Sequence, residues 1–112
     1  NGHEVGNRAI VVVANVIARL IRVTDAAARY GGDEFIVLLS ETDPEAATIV
    51  GQRIRNSVQK TTLDVEGRMV RTRVSVGVAT YPADSPDLRE LVKCADTDMY
   101  RNKELRRAPT AE

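Results

Sequence analysis

The chain has 112 residues, of which 43% are hydrophobic, 29% charged and 4% aromatic, the balance of one globular domain with no room for a second. Sixteen Lys and Arg face sixteen Asp and Glu, so the formal charge is zero and the basic excess that marks a binder of nucleic-acid polymers is missing. Cys94 is the one cysteine, which excludes an internal disulfide and makes a cytoplasmic setting the expectation.

The longest apolar stretch, Ala9 to Ala18, is broken by Asn15 and falls short of the ~20 residues that cross a bilayer, so no membrane contact is expected from this segment. The chain opens Asn1-Gly2-His3, without initiator Met or leader, and reads as a piece of a longer polypeptide. From about Arg8 to Arg22, Ile10, Val13, Val16, Ile17, Leu20 and Ile21 fall at helical spacing while Val11 and Val12 fill the other side, which predicts a well-buried helix. Asp25 to Ser40 predicts two strands around Gly31-Gly32, the second, Phe35 to Leu39, buried on both faces. Asp43 as N-cap and Pro44 behind it start a helix with Ala46, Val50, Ile54 and Val58 on one stripe, ending near Lys60.

A turn at Glu66-Gly67 precedes an alternation that places Val70, Thr72, Val74, Val76 and Val78 on one face of a strand stopped by Pro82. Ser85 and Pro86 open a last helix that buries Leu88, Leu91, Val92, Ala95 and Met99 and runs to about Lys103, before a polar tail. Helices interleaved with hairpins predict a single α/β (α+β) domain over 1–112, a palm-like, ferredoxin-related sheet flanked by helices.

Arg29-Tyr30-Gly31-Gly32-Asp33-Glu34-Phe35 puts two glycines and two carboxylates at the tip between two apolar strands. One reading is a solvent-facing acidic hairpin. The other is chemical: glycines let backbone N–H groups approach phosphate oxygens, and the adjacent carboxylate holds a divalent cation bridging those phosphates. Hard cations want several oxygen ligands, so a second carboxylate is expected from a neighbouring strand, and none is visible at a suitable place in this chain.

The run RYGGDEF resembles the signature of GGDEF domains, the catalytic domains of bacterial diguanylate cyclases. The similarity extends from Gly2-His3 through Val74 to Ala79 and on to Ala95-Asp96, Met99-Tyr100 and Lys103, nearly the whole chain. The resemblance implies the nucleotidyl-cyclase fold and metal-dependent condensation of two GTP into cyclic di-GMP and two pyrophosphates across a homodimer, with Mg²⁺ or Mn²⁺. It implies that Asp33 binds metal and helps activate the nucleophile, with Glu34 the second catalytic carboxylate. Gly31 and Gly32 lie along the phosphates, and Lys103 and Arg107 contact the terminal phosphates.

Departures from the pattern accompany the match. The family's first strand, with another metal-binding aspartate and a nearby phosphate-contacting lysine, would lie before Asn1, as would its guanine-binding asparagine, which belongs several residues ahead of the Gly2-His3 pair. The guanine-reading aspartate is replaced by Asn7, exchanging an acceptor for an amide that also donates. Asp98, Asn102, Arg106 and Ala108 stand where the family more often has Ala, Ala, Gly and Asn. Lacking the first strand, the 112-residue chain by itself is expected not to turn over GTP.

Arg22 and Asp25 of the run Arg22-Val23-Thr24-Asp25, separated from Gly31 by five residues, are similar to the RxxD motif that binds cyclic di-GMP as inhibitor in many such cyclases, and Arg53 matches its secondary arginine. The plainer reading is that Arg22 favours a helix C-terminus and Asp25 a turn. A non-catalytic GGDEF module that binds GTP or cyclic di-GMP and regulates an attached domain is the alternative function. A P-loop is excluded because no GxxxxGK[ST] run occurs.

Overall fold

The computed structural model describes residues 2–107, with side chains described for residues 4–104. The elements are α1 (Gly2–Leu20), β1 (Ala26–Gly31), β2 (Glu34–Ser40), α2 (Pro44–Lys60), β3 (Thr62–Val65), β4 (Arg68–Arg71), β5 (Ser75–Tyr81) and α3 (Leu88–Arg107). β2 is the middle of a three-stranded sheet, antiparallel to β1 and parallel to β5, while β3 and β4 form a separate hairpin. The expected mixed α+β architecture is the one observed.

The alternation along β2 explains why it is buried on both faces. Phe35, Val37 and Leu39 pack with Val13 and Ile17 of α1 and Ile54 and Val58 of α2, joined by Val74 and Val76. Ile36 faces the other way, onto Ala79, Leu91 and Ala95 under α3. Ile17 and Ile54 are completely buried, so truncating either to Ala costs about 2–5 kcal/mol. On the α3 side the layers touch closely: a Cβ at Gly77 would collide with the Ala95 carbonyl oxygen and with Met99.

Asp43 caps α2 as expected, accepting from the Ala46 N–H at 2.9 Å, and Pro44 sits in the first turn. Several expectations need correction. α1 begins at Gly2, not near Arg8, and it is not buried all round: Val13 and Ile17 face the core, whereas Val11 is 60% exposed. α3 begins at Leu88, because Asp87, not Ser85, caps it: the Asp87 carboxylate accepts from the Glu90 N–H at 3.4 Å. Leu88 is then ahead of the core stripe and 65% exposed.

The predicted strand through residues 70–78 is two strands. The Thr72 N–H donates to the Thr61 carbonyl at 3.1 Å and its hydroxyl lies 3.3 Å from the Val58 carbonyl oxygen, which ties the chain to the end of α2. The ladder resumes where the Ser75 N–H donates to the Asp33 carbonyl at 3.0 Å. Thr72, Val74 and Val76 are buried on either side of the break, but Val70 is 43% exposed because it lies on the separate β3–β4 hairpin, and residues 74–77 are all buried, so the expected single face running from Val70 does not hold. The Glu66-Gly67 turn closes the β3–β4 hairpin with both residues at positive φ, as a two-residue hairpin loop requires.

Candidate active site

The β1–β2 hairpin projects the Gly31 to Glu34 segment beyond the core. Gly31 pairs with Glu34, a register shift falls between Arg29 and Gly31, and Gly32 and Asp33 form the tip. Neither glycine adopts a positive φ, in contrast to Gly67. The turn conformation therefore does not demand glycine at either position. A Cβ at Gly31 would collide with the Glu34 carboxylate as it sits in its pair with Lys103, so a side chain there would have to displace that carboxylate. A Cβ at Gly32 would meet nothing within 4 Å, so nothing inside the chain accounts for Gly32.

Arg29 holds the tip from behind. Its Nε donates to the Gly31 carbonyl at 3.1 Å and its Nη2 to the Gly32 carbonyl at 2.8 Å. With the carbonyls drawn to the guanidinium, the shape of the turn is held independently of any ligand. Sequence reasoning missed this role; the signal was a basic residue two places before the glycine pair, on the strand that feeds the turn.

The two signature carboxylates are in different states. Glu34 is ion-paired with Lys103 of α3, both part-buried, so the hairpin and the last helix are joined across 69 residues of sequence. Asp33 is exposed, and among the described residues its carboxylate has no hydrogen-bond or ion-pair partner. Asp33 lines two cavities that meet at the tip. One, of about 450 Å³, also holds Asn7, Gly32 and Arg29; the other, of about 560 Å³, also holds Gln59 and Lys103. The structure thus brings Asn7, Gly32, Asp33, Glu34 and Lys103 to one end of the sheet. The Arg107 side chain lies outside the described residues.

Among the described residues no group of three or more His, Cys, Asp or Glu is placed to hold a metal ion. This is not a closed protein cage. Mg²⁺ is commonly bound through one or two carboxylates together with substrate phosphates, and an unpaired carboxylate beside an open glycine fits that donor set.

At the other end of the same hairpin, Arg22 and Asp25 pair with each other. Asp25 Oδ1 lies 3.2 Å from Arg22 Nη2 and accepts from the Ser40 N–H at 2.9 Å, while Oδ2 accepts from the Arg22 N–H at 2.8 Å. Arg22 Nη2 also donates to the Ser40 carbonyl at 2.6 Å and the Thr42 hydroxyl at 2.8 Å. The Asp25 side chain is 3% exposed and that of Arg22 57%. Burial alone would raise the Asp25 carboxyl, but the hydrogen bonds from the Arg22 side chain and from the Arg22 and Ser40 N–H groups, with the guanidinium charge, together hold it below its ordinary value. Arg53 is exposed on α2, and among the described residues no hydrogen bond joins it to Arg22 or Asp25.

One departure from the family pattern acquires a role. Asp98 Oδ2 pairs with Arg55 of α2 at 3.1 Å and accepts the Val78 N–H at 2.8 Å. It thereby links both helices to the outer edge of β5.

Residues 1–109 match the family described as "Diguanylate cyclase, GGDEF domain". The chain is 38% identical over 103 residues to diguanylate cyclase A of Treponema denticola, covering 92% of this chain and 28% of that protein. It is 35% identical over 108 residues to the probable diguanylate cyclase DgcT of Escherichia coli, covering 95% of this chain and 24% of that one. The chain therefore spans about a quarter of the length of these relatives. Among solved structures it resembles a sensory box/GGDEF family protein from Caulobacter crescentus, with a TM-score of 0.74 and 28% identity over 94% of this chain and 68% of that one. No described helix is long and apolar enough to cross a membrane.

Proposed function

The chain belongs to the GGDEF family of diguanylate cyclase domains, and from that premise we propose that the intact protein of which it is part condenses two GTP molecules into cyclic di-GMP. Each 3′-hydroxyl loses its proton and bonds to the other nucleotide's α-phosphorus, and pyrophosphate leaves. One turn holds one nucleotide, so ring closure needs two copies facing each other as a homodimer.

The observation that carries this reading is Gly32. Neither backbone conformation nor packing requires a glycine there, and the neighbouring Asp33 carboxylate is unpaired. An approaching phosphate explains both, since a side chain at 32 would occupy the space the phosphate needs. Asn7 lines the same cavity as Gly32 and Asp33, and would meet the base end of such a nucleotide. Glu34 holds Lys103 beside the tip, where its charge faces the phosphate tail. Asp33 would hold the divalent cation, Mg²⁺ or Mn²⁺. When bound, such a cation neutralises phosphate charge and acidifies a coordinated hydroxyl.

Product inhibition at Arg22 is part of the same proposal. Its exposed guanidinium and Arg53 are the cations available to cyclic di-GMP, while Asp25 serves as the buried anchor of Arg22.

The deciding experiment is Gly32→Val in the intact protein, with cyclic di-GMP formation from GTP measured by chromatography. Product formation should collapse while the unfolding midpoint stays put. Full conversion by the variant would overturn the reading. Binding of GTP by the unsubstituted protein, with no product formed, would identify a non-catalytic module instead.

A further inference from the structure

Arg71 and Arg73 line both cavities at the hairpin tip. They come from the end of β4 and the linker to β5, a segment that the signature does not include. The way this segment is fastened dictates where they sit. Thr72 between them is buried and bonded to the end of α2, and Ser75 is bonded to the Asp33 carbonyl. Burial alternates along the segment, so anchoring Thr72 and Val74 inward holds Arg71 and Arg73 outward, beside the tip.

Both arginines are exposed, and among the described residues neither guanidinium has a hydrogen-bond or ion-pair partner. Other cations near the tip are already engaged: Arg29 with turn carbonyls and Lys103 with Glu34. The single open carboxylate, Asp33, does not balance two free guanidinium groups. Such an excess in a concave place suits an anion with several oxygens, and the planar fork of arginine pairs with phosphate oxygens two at a time.

We propose that Arg71 and Arg73 are positioning residues that grip the triphosphate tail of the nucleotide from the β4–β5 side, opposite α3. This rests on the proposed function above and adds to Lys103 a second set of cations for the tail. Asn7 shares one of these cavities and Lys103 the other, with Arg71 and Arg73 in both. A tail crossing the tip between the base end and α3 passes these two side chains.

The test is calorimetric titration of the intact protein with GTP, with inorganic tripolyphosphate and with guanosine. Replacing each arginine by Ala should weaken GTP and tripolyphosphate binding by about tenfold or more, as expected for hydrogen bonds to a charged group. Guanosine binding should not change, and Arg71→Lys with Arg73→Lys should recover part of the loss by restoring charge without the fork. Both side chains are exposed, so the unfolding midpoint should be unaltered. GTP affinity unchanged in the double alanine variant would overturn this inference and leave the cyclase reading standing. A loss shared equally by guanosine would also overturn it, since the groove and not the tail contact would then have been damaged. If the unsubstituted protein binds no GTP, the cyclase reading itself falls and takes this inference with it.

Discussion

The two ends of the β1–β2 hairpin are built from the same residue types and do opposite things with them. At the open end Asp25 is buried, and Arg22 and three backbone or side-chain groups close around the pair. At the tip Asp33 is exposed and unpaired among the described residues, and the arginine beside it bonds turn carbonyls instead of the carboxylate. A carboxylate satisfied by its own chain stabilises the fold, whereas one left unpaired on a turn braced from behind is available to a ligand. Residue type alone therefore says little about role; the state of the hydrogen bonds separates the two.

The contrast is broken most severely by substituting the two aspartates. Asp33→Ala should lower cyclic di-GMP formation by about 10²–10³-fold, the range for losing a charge-stabilising group, with stability within about 0.5 kcal/mol of the unsubstituted protein. Steady-state turnover and urea unfolding on the same samples check both halves. Asp25→Ala should do the reverse, costing about 2 kcal/mol of stability because it leaves the Ser40 and Arg22 N–H groups and the guanidinium without their acceptor. If Asp33→Ala unfolds the protein, or Asp25→Ala leaves its stability intact, the distinction drawn between the two ends is wrong.

Arg22→Ala sharpens it further. The side chain is more than half exposed, so its loss should cost only about 1 kcal/mol, less than removal of Asp25. If Arg22 also receives cyclic di-GMP, the same variant should relieve product inhibition while initial turnover stays the same. At the tip, Arg29→Ala should cost about 1 kcal/mol and reduce turnover, because the carbonyls of Gly31 and Gly32 lose their tether. Equal turnover with the tether gone would show that the turn keeps its shape without it.

The smallest effect is a pH dependence confined to the open end. The Asp25 carboxyl is held below its ordinary value of 3.8, so its contribution is fully present above that value and is lost as pH falls through the lower folded one. The stability difference between the unsubstituted protein and Asp25→Ala should be flat at neutral pH and shrink only below about pH 4. Denaturant titrations at several pH values measure it, and a difference that does not change with pH would exclude the carboxylate as its source.

Much of this molecule is legible in local sequence. Asp43 and Pro44 mark the start of α2 because caps and fixed φ values act within a few residues, and the Phe35 to Leu39 run identifies a doubly buried strand. The glycine-acid tip could likewise be located from RYGGDEF. Three features came only from the assembled fold: the pairing of Glu34 with Lys103, the interruption at Thr72 to 74, and the free state of Arg71 and Arg73. Each depends on which distant backbone or side-chain group occupies the neighbouring space. Periodicity reveals the side of the chain a residue takes, but whether its charge is already spent is decided by partners that folding brings together.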